Sequence, residues 1–136
     1  MKIIFVKDFT EFPGLRHCSI SEDSGELYYH KVLNSEFANS LSDKSDLILN
    51  LDQTTGYPPS FLDEAIGNLV YDFTLDVVKS NLKIISEEEP DLLDLIEKET
   101  FPQWEKRRVD SVKPKKTKRH EPWFRFLNGS LTKTQG

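Results

Sequence analysis

Leu47-Ile48-Leu49-Asn50-Leu51 limits the fold more than any other stretch of this chain. A run this short and this apolar suits a strand covered on both faces, as in the middle of an α/β sheet. The segments on either side carry a helical period instead. Before it, Tyr29, Leu33, Phe37 and Leu41 recur every four residues, and Tyr28, Val32 and Ala38 widen the stripe. Ser21 to Glu26 opens that helix, with Ser24 or Asp23 as the cap and acids at the positive end of the dipole. After the run comes a loop, Asp52 to Pro59, punctuated by Gly56, Pro58 and Pro59. Ser60 then starts a second helix as its N-cap, with Asp63 completing an approximate capping box. Phe61, Ala65, Ile66, Leu69, Val70, Phe73 and Val77 form its apolar side, and Gly67 permits close approach to the sheet.

The remaining elements extend this alternation. Ile3 to Phe9 reads as a strand, Leu15 to Ile20 as a short edge strand, and Leu82 to Ile85 as another strand. Ser86 to Pro90 begins a third helix whose apolar side is Leu92, Leu93 and Ile96. Strands alternating with helices predict an α/β domain with a mainly parallel or mixed sheet and covering helices, over residues 1–100. Residues 101–136 differ. Gln103 to Val112 is expected to form a short charged helix carrying Trp104. Lys113 to Arg119 has too little apolar surface to fold alone, so this basic tail should be disordered or ordered by a partner. An aromatic tip, Trp123 to Leu127, follows.

The net charge of −5 conceals a division. Residues 1–100 hold 8 Lys/Arg against 20 Asp/Glu, a net of −12, while residues 101–136 hold 10 against 3, a net of +7. The two parts must prefer different partners. In the tail, Lys115, Lys116, Lys118 and Arg119 stand beside Trp123, Phe124, Arg125 and Phe126. An acidic protein groove ranks first as their target, whether on a partner, on this domain or on a second copy. Nucleic acid, gripped by phosphate contact and base stacking, ranks second, a plain solvated extension third, and a membrane surface last.

Chemistry-bearing motifs are scarce. Cys18 is the single cysteine, so an intramolecular disulfide is impossible and a reducing compartment fits. The spacing of His17, Cys18, His30 and His120 predicts no metal site. The sequence shows no nucleophile elbow, phosphate-cradling Gly-rich loop or His-Glu-x-x-His helix, so neither catalysis nor a cofactor is expected. Without an apolar segment of signal-peptide or membrane-spanning length, the expected location is the cytoplasm.

Ser24-Gly25-Glu26, Val32-Leu33, Leu49-Asn50-Leu51-Asp52 and Gly56-Tyr57-Pro58-Pro59-Ser60-Phe61-Leu62-Asp63-Glu64-Ala65 together resemble a small bacterial STAS-like family. Ile84-Ile85-Ser86 and Glu89-Pro90 fit its next strand and helix start, and the likeness covers about residues 20 to 98. The resemblance implies a domain similar to anti-sigma-factor antagonists, with a mixed sheet, covering helices and no prosthetic group. It implies a regulatory module acting through protein contacts. In the wider superfamily, a strand ending in Asp leads to a Ser at a helix N-terminus, which an ATPase of the histidine-kinase type phosphorylates. Asp52 and Ser60 hold the matching places, although Phe61 stands where the superfamily pattern has Gly.

Ser60 thus has two readings. As a helix cap it contributes about 1 kcal/mol. As a switch it would carry a phosphate of about −1.5 to −2 charge against the helix N-terminus. Tyr57, Pro58 and Pro59 likewise read either as a rigid recognition loop or as a fixed turn, with Asp63 beside them.

Overall fold

The computed structural model describes residues 1–135. Three parallel strands, β1 (Lys2–Phe5), β2 (Leu47–Asn50) and β3 (Leu82–Ile85), form one sheet in that order. The register aligns Lys2 with Leu47 and Leu47 with Leu82. The central place of the apolar run is as expected. Its two-sided burial is not. Ile4, Leu47, Leu49 and Leu82 are buried on one face, whereas Ile3 is 53% exposed and Phe5, Ile48 and Ile85 are half-buried on the other. Successive crossovers of one hand that step the same way put all their helices on one face.

Those crossovers are the periodic segments. Residues 25–42 form one continuous helix: α1 (Gly25–Tyr28), a π turn (Tyr29–Leu33) and α2 (Asn34–Ser42). Ser24 caps it by accepting the Leu27 N–H. The second crossover holds α3 (Pro59–Phe73) and α4 (Leu75–Asn81). Phe61, Ala65, Ile66, Leu69, Val70 and Phe73 are all at most 1% exposed, so α3 is the spine of the core.

Four expectations are corrected. The chain leaves β1 at Phe5 into a 3-10 turn, Val6–Asp8. Leu15–Ile20 is no strand: its carbonyls instead cap the first helix, with Gly25 donating to Leu15 O and Glu26 to Arg16 O. The boundary at residue 100 falls inside a helix. α5 (Asp91–Leu95), a π turn (Ile96–Thr100) and α6 (Phe101–Val109) are continuous, and Phe101 and Trp104 are buried. Pro102 lacks an N–H and its ring would crowd the preceding turn, which the wider π turn accommodates. Gly67 admits α6, not the sheet, since a Cβ there would overlap the Trp104 indole.

The expected disorder beyond Val112 is also corrected. Residues 113–122 run along the body without regular secondary structure, held through Lys116, Thr117 and His120, and an antiparallel hairpin follows, β4 (Trp123–Leu127) with β5 (Ser130–Thr134). Among the described residues no helix is long and apolar enough to cross a membrane.

Candidate functional site

The C-terminal end of β2 carries the first cluster. Asn50 Oδ1 accepts the Asp52 N–H at 2.9 Å and turns the chain out of the strand. Asp52 then reaches across to the loop after β3, accepting the N–H groups of Glu87 at 3.2 Å and Glu88 at 3.0 Å. Glu88 returns the contact by accepting the Gln53 N–H at 2.7 Å. Tyr57 Oη donates to Leu51 O at 2.7 Å, and burial raises the Tyr57 phenol above its usual range. Gly56, at φ 131°, makes the turn before Tyr57 that a side chain would strain. Asp52, Tyr57, Ser86, Glu88, Glu89 and Leu92 line a pocket of about 170 Å³ here.

Ser60 is not the cap. α3 begins at Pro59, with Pro58 as the N-cap residue, so Ser60 is the second helical residue and half-buried. Proline suits the first helical position because its φ is preset and the N–H it lacks would be unpaired. Phe61 donates its N–H to Pro58 O at 3.0 Å. Asp63 forms no reciprocal box either: it accepts Arg16 Nη1 at 2.7 Å. The structure therefore brings Asp52, Tyr57, Pro58, Pro59 and Ser60 to one end of the sheet, while Asp63 points to a different neighbour.

The tail residues part in two directions. Lys115, Lys118 and Arg119 are exposed, whereas Lys116 turns inward and donates from Nζ to Asn68 Oδ1 at 2.8 Å. Burial lowers the Lys116 pKa, opposed by Asp72, Glu64 and Glu26. Trp123 is buried, and Phe124 and Phe126 pack against the core. Asn34 takes the place of a strand partner for Phe124, accepting its N–H at 2.8 Å and donating to its carbonyl at 3.0 Å. Arg125 Nε stands 3.0 Å from Asp72 Oδ1, an ion pair whose N–H is off-line for a hydrogen bond.

Beneath this segment α3 presents three buried polar residues at a spacing of four: Glu64, Asn68 and Asp72. Each meets a cation: Glu64 Oε1 accepts Arg16 at 3.1 Å, Asn68 accepts Lys116, and Asp72 faces Arg125. Asp72 Oδ2 also accepts Tyr29 Oη at 2.5 Å, yet burial outweighs its partners and pushes its pKa up to about 6. Lys116 and Arg125 thus bring part of the basic segment onto the acidic body, while Lys115, Lys118 and Arg119 stay exposed.

Glu26, fully buried, is the second centre. Oε1 accepts the Cys18 N–H at 3.1 Å and the Thr117 hydroxyl at 2.6 Å, and Oε2 accepts the Thr117 N–H at 3.0 Å. His120 Nε2 lies 2.6 Å from Oε2, and His17 Nδ1 lies 3.3 Å from Oε1. Burial alone would raise the Glu26 pKa, but hydrogen bonds from Thr117, His120 and Cys18 outweigh it and hold it at about 2. The His30 ring stacks on His120 with centroids 3.9 Å apart, and burial lowers its pKa to about 2. Sequence spacing set these residues apart, but the fold assembles them. Cys18, Glu26 and His120 offer metal-ligand atoms within 4.8 Å of one another. One signal was readable: Glu26 lies three residues before Tyr29, on the apolar stripe of its helix, where an acid requires partners.

Residues 31–92 match the family described as a STAS-like domain of unknown function. It contains β2, β3, α3 and the Asp52–Ser60 loop, and ends before the helix that carries Trp104. No curated protein and no solved structure matches the chain.

Proposed function

We propose that this protein is a non-catalytic regulatory module that acts through protein contacts, with the Tyr57–Asp63 stretch as its main contact surface. The observation that carries this reading is the bracing of the Asp52–Pro59 loop. Asp52 and Tyr57 tie both its ends to the sheet, so exposed Pro59 and half-buried Ser60 are presented at little further ordering cost. The STAS-like description of residues 31–92 supports the same reading.

In its finer form, an ATPase of the histidine-kinase type phosphorylates Ser60. Phosphate at the second residue of α3 adds charge at the presented surface, favoured by the helix dipole. Pro58 and Pro59 supply no N–H to hold it, so the phosphate stays available to a partner. The half-open sheet face of Ile3, Phe5, Ile48 and Ile85 offers a surface for self-association. A nucleic-acid-associated role has less support. Lys115, Lys118 and Arg119 remain available for phosphate contact, but Trp123 is buried and Phe124 and Phe126 are half-buried against the core, which leaves little aromatic face for base stacking.

The test is co-purification of the native protein, with mass spectrometry of its partner and of Ser60. An ATPase or effector should be recovered, and Tyr57→Ala and Ser60→Asp should each release it. Retention of every partner by Ser60→Ala, Ser60→Asp and Tyr57→Ala, with no phosphate on Ser60 in cells, would sink the proposal.

A further inference from the structure

We propose that Cys18, Glu26 and His120, with His17 positioning the Glu26 carboxylate, form a binding site for a divalent transition cation of the zinc class. The donors come from three separate places in the chain: the loop before the first helix, the first turn of that helix, and the C-terminal segment. Thiolate sulfur, imidazole nitrogen and carboxylate oxygen together select a borderline ion over calcium or magnesium. Bond lengths around tetrahedral zinc set neighbouring ligand atoms about 3.3–3.8 Å apart. The three atoms of Cys18, Glu26 and His120 lie within 4.8 Å, so a contraction of about 1 Å brings these three donors to ligand spacing. His17 Nδ1 lies 3.3 Å from Glu26 Oε1 and holds that carboxylate from the other side.

His120 makes the opposite adjustment. Its 2.6 Å contact with Glu26 is a hydrogen-bond length, and replacing the bridging proton with an ion moves the ring outward by under about 1 Å. The His120 Nε2 proton passes to Nδ1, the ion takes the place of the Cys18 thiol proton, and that one proton leaves to solvent. Two negative charges, on Cys18 and Glu26, then neutralise the dication. Stacking on His30 holds the His120 ring in its plane. Half-exposed Cys18 opens onto a cleft lined by Glu22, Asp23 and Lys118, which gives the ion access from solvent.

A nucleophilic role for Cys18 fits less well. Burial raises its pKa, as does the Glu26 charge, and both disfavour a free thiolate. Bound metal reverses that preference because it supplies the missing positive charge. Such an ion would also clamp residue 120 to the body, independently of the Ser60 surface.

The experiment titrates Co²⁺ into the untagged, reduced full chain and follows the thiolate-to-cobalt charge-transfer absorption, which Zn²⁺ should abolish by displacement. A one-to-one endpoint is expected. Because Cys18 is the only thiol, its alkylation rate gives a second readout, and Zn²⁺ should slow it by about tenfold or more. Cys18→Ser should remove the absorption. His17→Ala, in a surface loop, should weaken Zn²⁺ binding by at least about tenfold while the circular dichroism stays unchanged. Absence of both the absorption and the protection at stoichiometric metal overturns the proposal. So does equal Zn²⁺ affinity in Cys18→Ser, which would place the ion elsewhere.

Discussion

The two sides of α3 are buried to the same degree by opposite means. On one side Phe61, Ala65, Ile66, Leu69, Val70 and Phe73 meet other apolar groups, and Phe73 packs edge-on against Phe37 with centroids 5.0 Å apart. On the other side Glu64, Asn68 and Asp72 are at most 4% exposed, and the cover over them is Arg16, Lys116 and Arg125. Apolar burial is insensitive to direction and to pH, and it tolerates any partner of the right volume. A buried polar row is stable only when each group has its own partner in position, and its stability depends on protonation. The first side makes the core. The second decides where the C-terminal segment lies.

The largest expected effect probes the apolar side. Phe73→Ala should cost about 3–5 kcal/mol in urea denaturation, by the same amount at pH 5 and pH 7. A strongly pH-dependent loss would break the contrast between the two sides.

Next comes the polar side. The Asp72 pKa is raised from 3.8 to about 6, so its contribution is an unfavourable one that grows as pH rises through 6 and vanishes below about 3.8. Glu26 has the opposite sign: held at about 2, it stabilises at neutral pH and loses that contribution as pH falls from 4.5 towards 2. His30, lowered from 6.5 to about 2, acts against Asp72, because holding its ring neutral costs stability as pH falls below 6.5. Melting temperature should therefore fall as pH drops from about 6.5, more steeply once Glu26 also titrates. Asp72→Asn removes the opposing gain and should steepen the fall between about pH 6 and 4, by up to about 3 kcal/mol at about 1.4 kcal/mol per pK unit. A profile unchanged by Asp72→Asn would assign that opposing gain to another group.

The smallest effect sharpens the comparison. Asn68→Ala removes the acceptor of Lys116 and should cost about 1–3 kcal/mol, since the ammonium would lose a partner while still covered. Added salt should change this loss little, because the contact is shielded from solvent.

Much of the body was legible along the chain. Short apolar runs and helical stripes placed all three parallel strands and the two crossovers, and the Ser24 cap was readable from residue type. The STAS-like resemblance holds over residues 31–92. The start of α3 was misplaced by two residues because reading Ser60 as the cap overlooked how well Pro59 fits the first helical position. Glu64, Asn68 and Asp72 could pass for a solvent face, because a row of polar residues every four has the same period whether water or a cation covers it.

Local periodicity depends on neighbours three or four residues apart, so strands, helices and the apolar side of α3 were decided within short windows of chain. The C-terminal segment was decided by pairs such as Lys116 with Asn68, Phe124 with Asn34 and His120 with Glu26, which lie 48, 90 and 94 residues apart. No spacing rule spans such distances. Only folding brought those partners within bonding reach, and with them the one place where cysteine, histidine and a buried carboxylate converge.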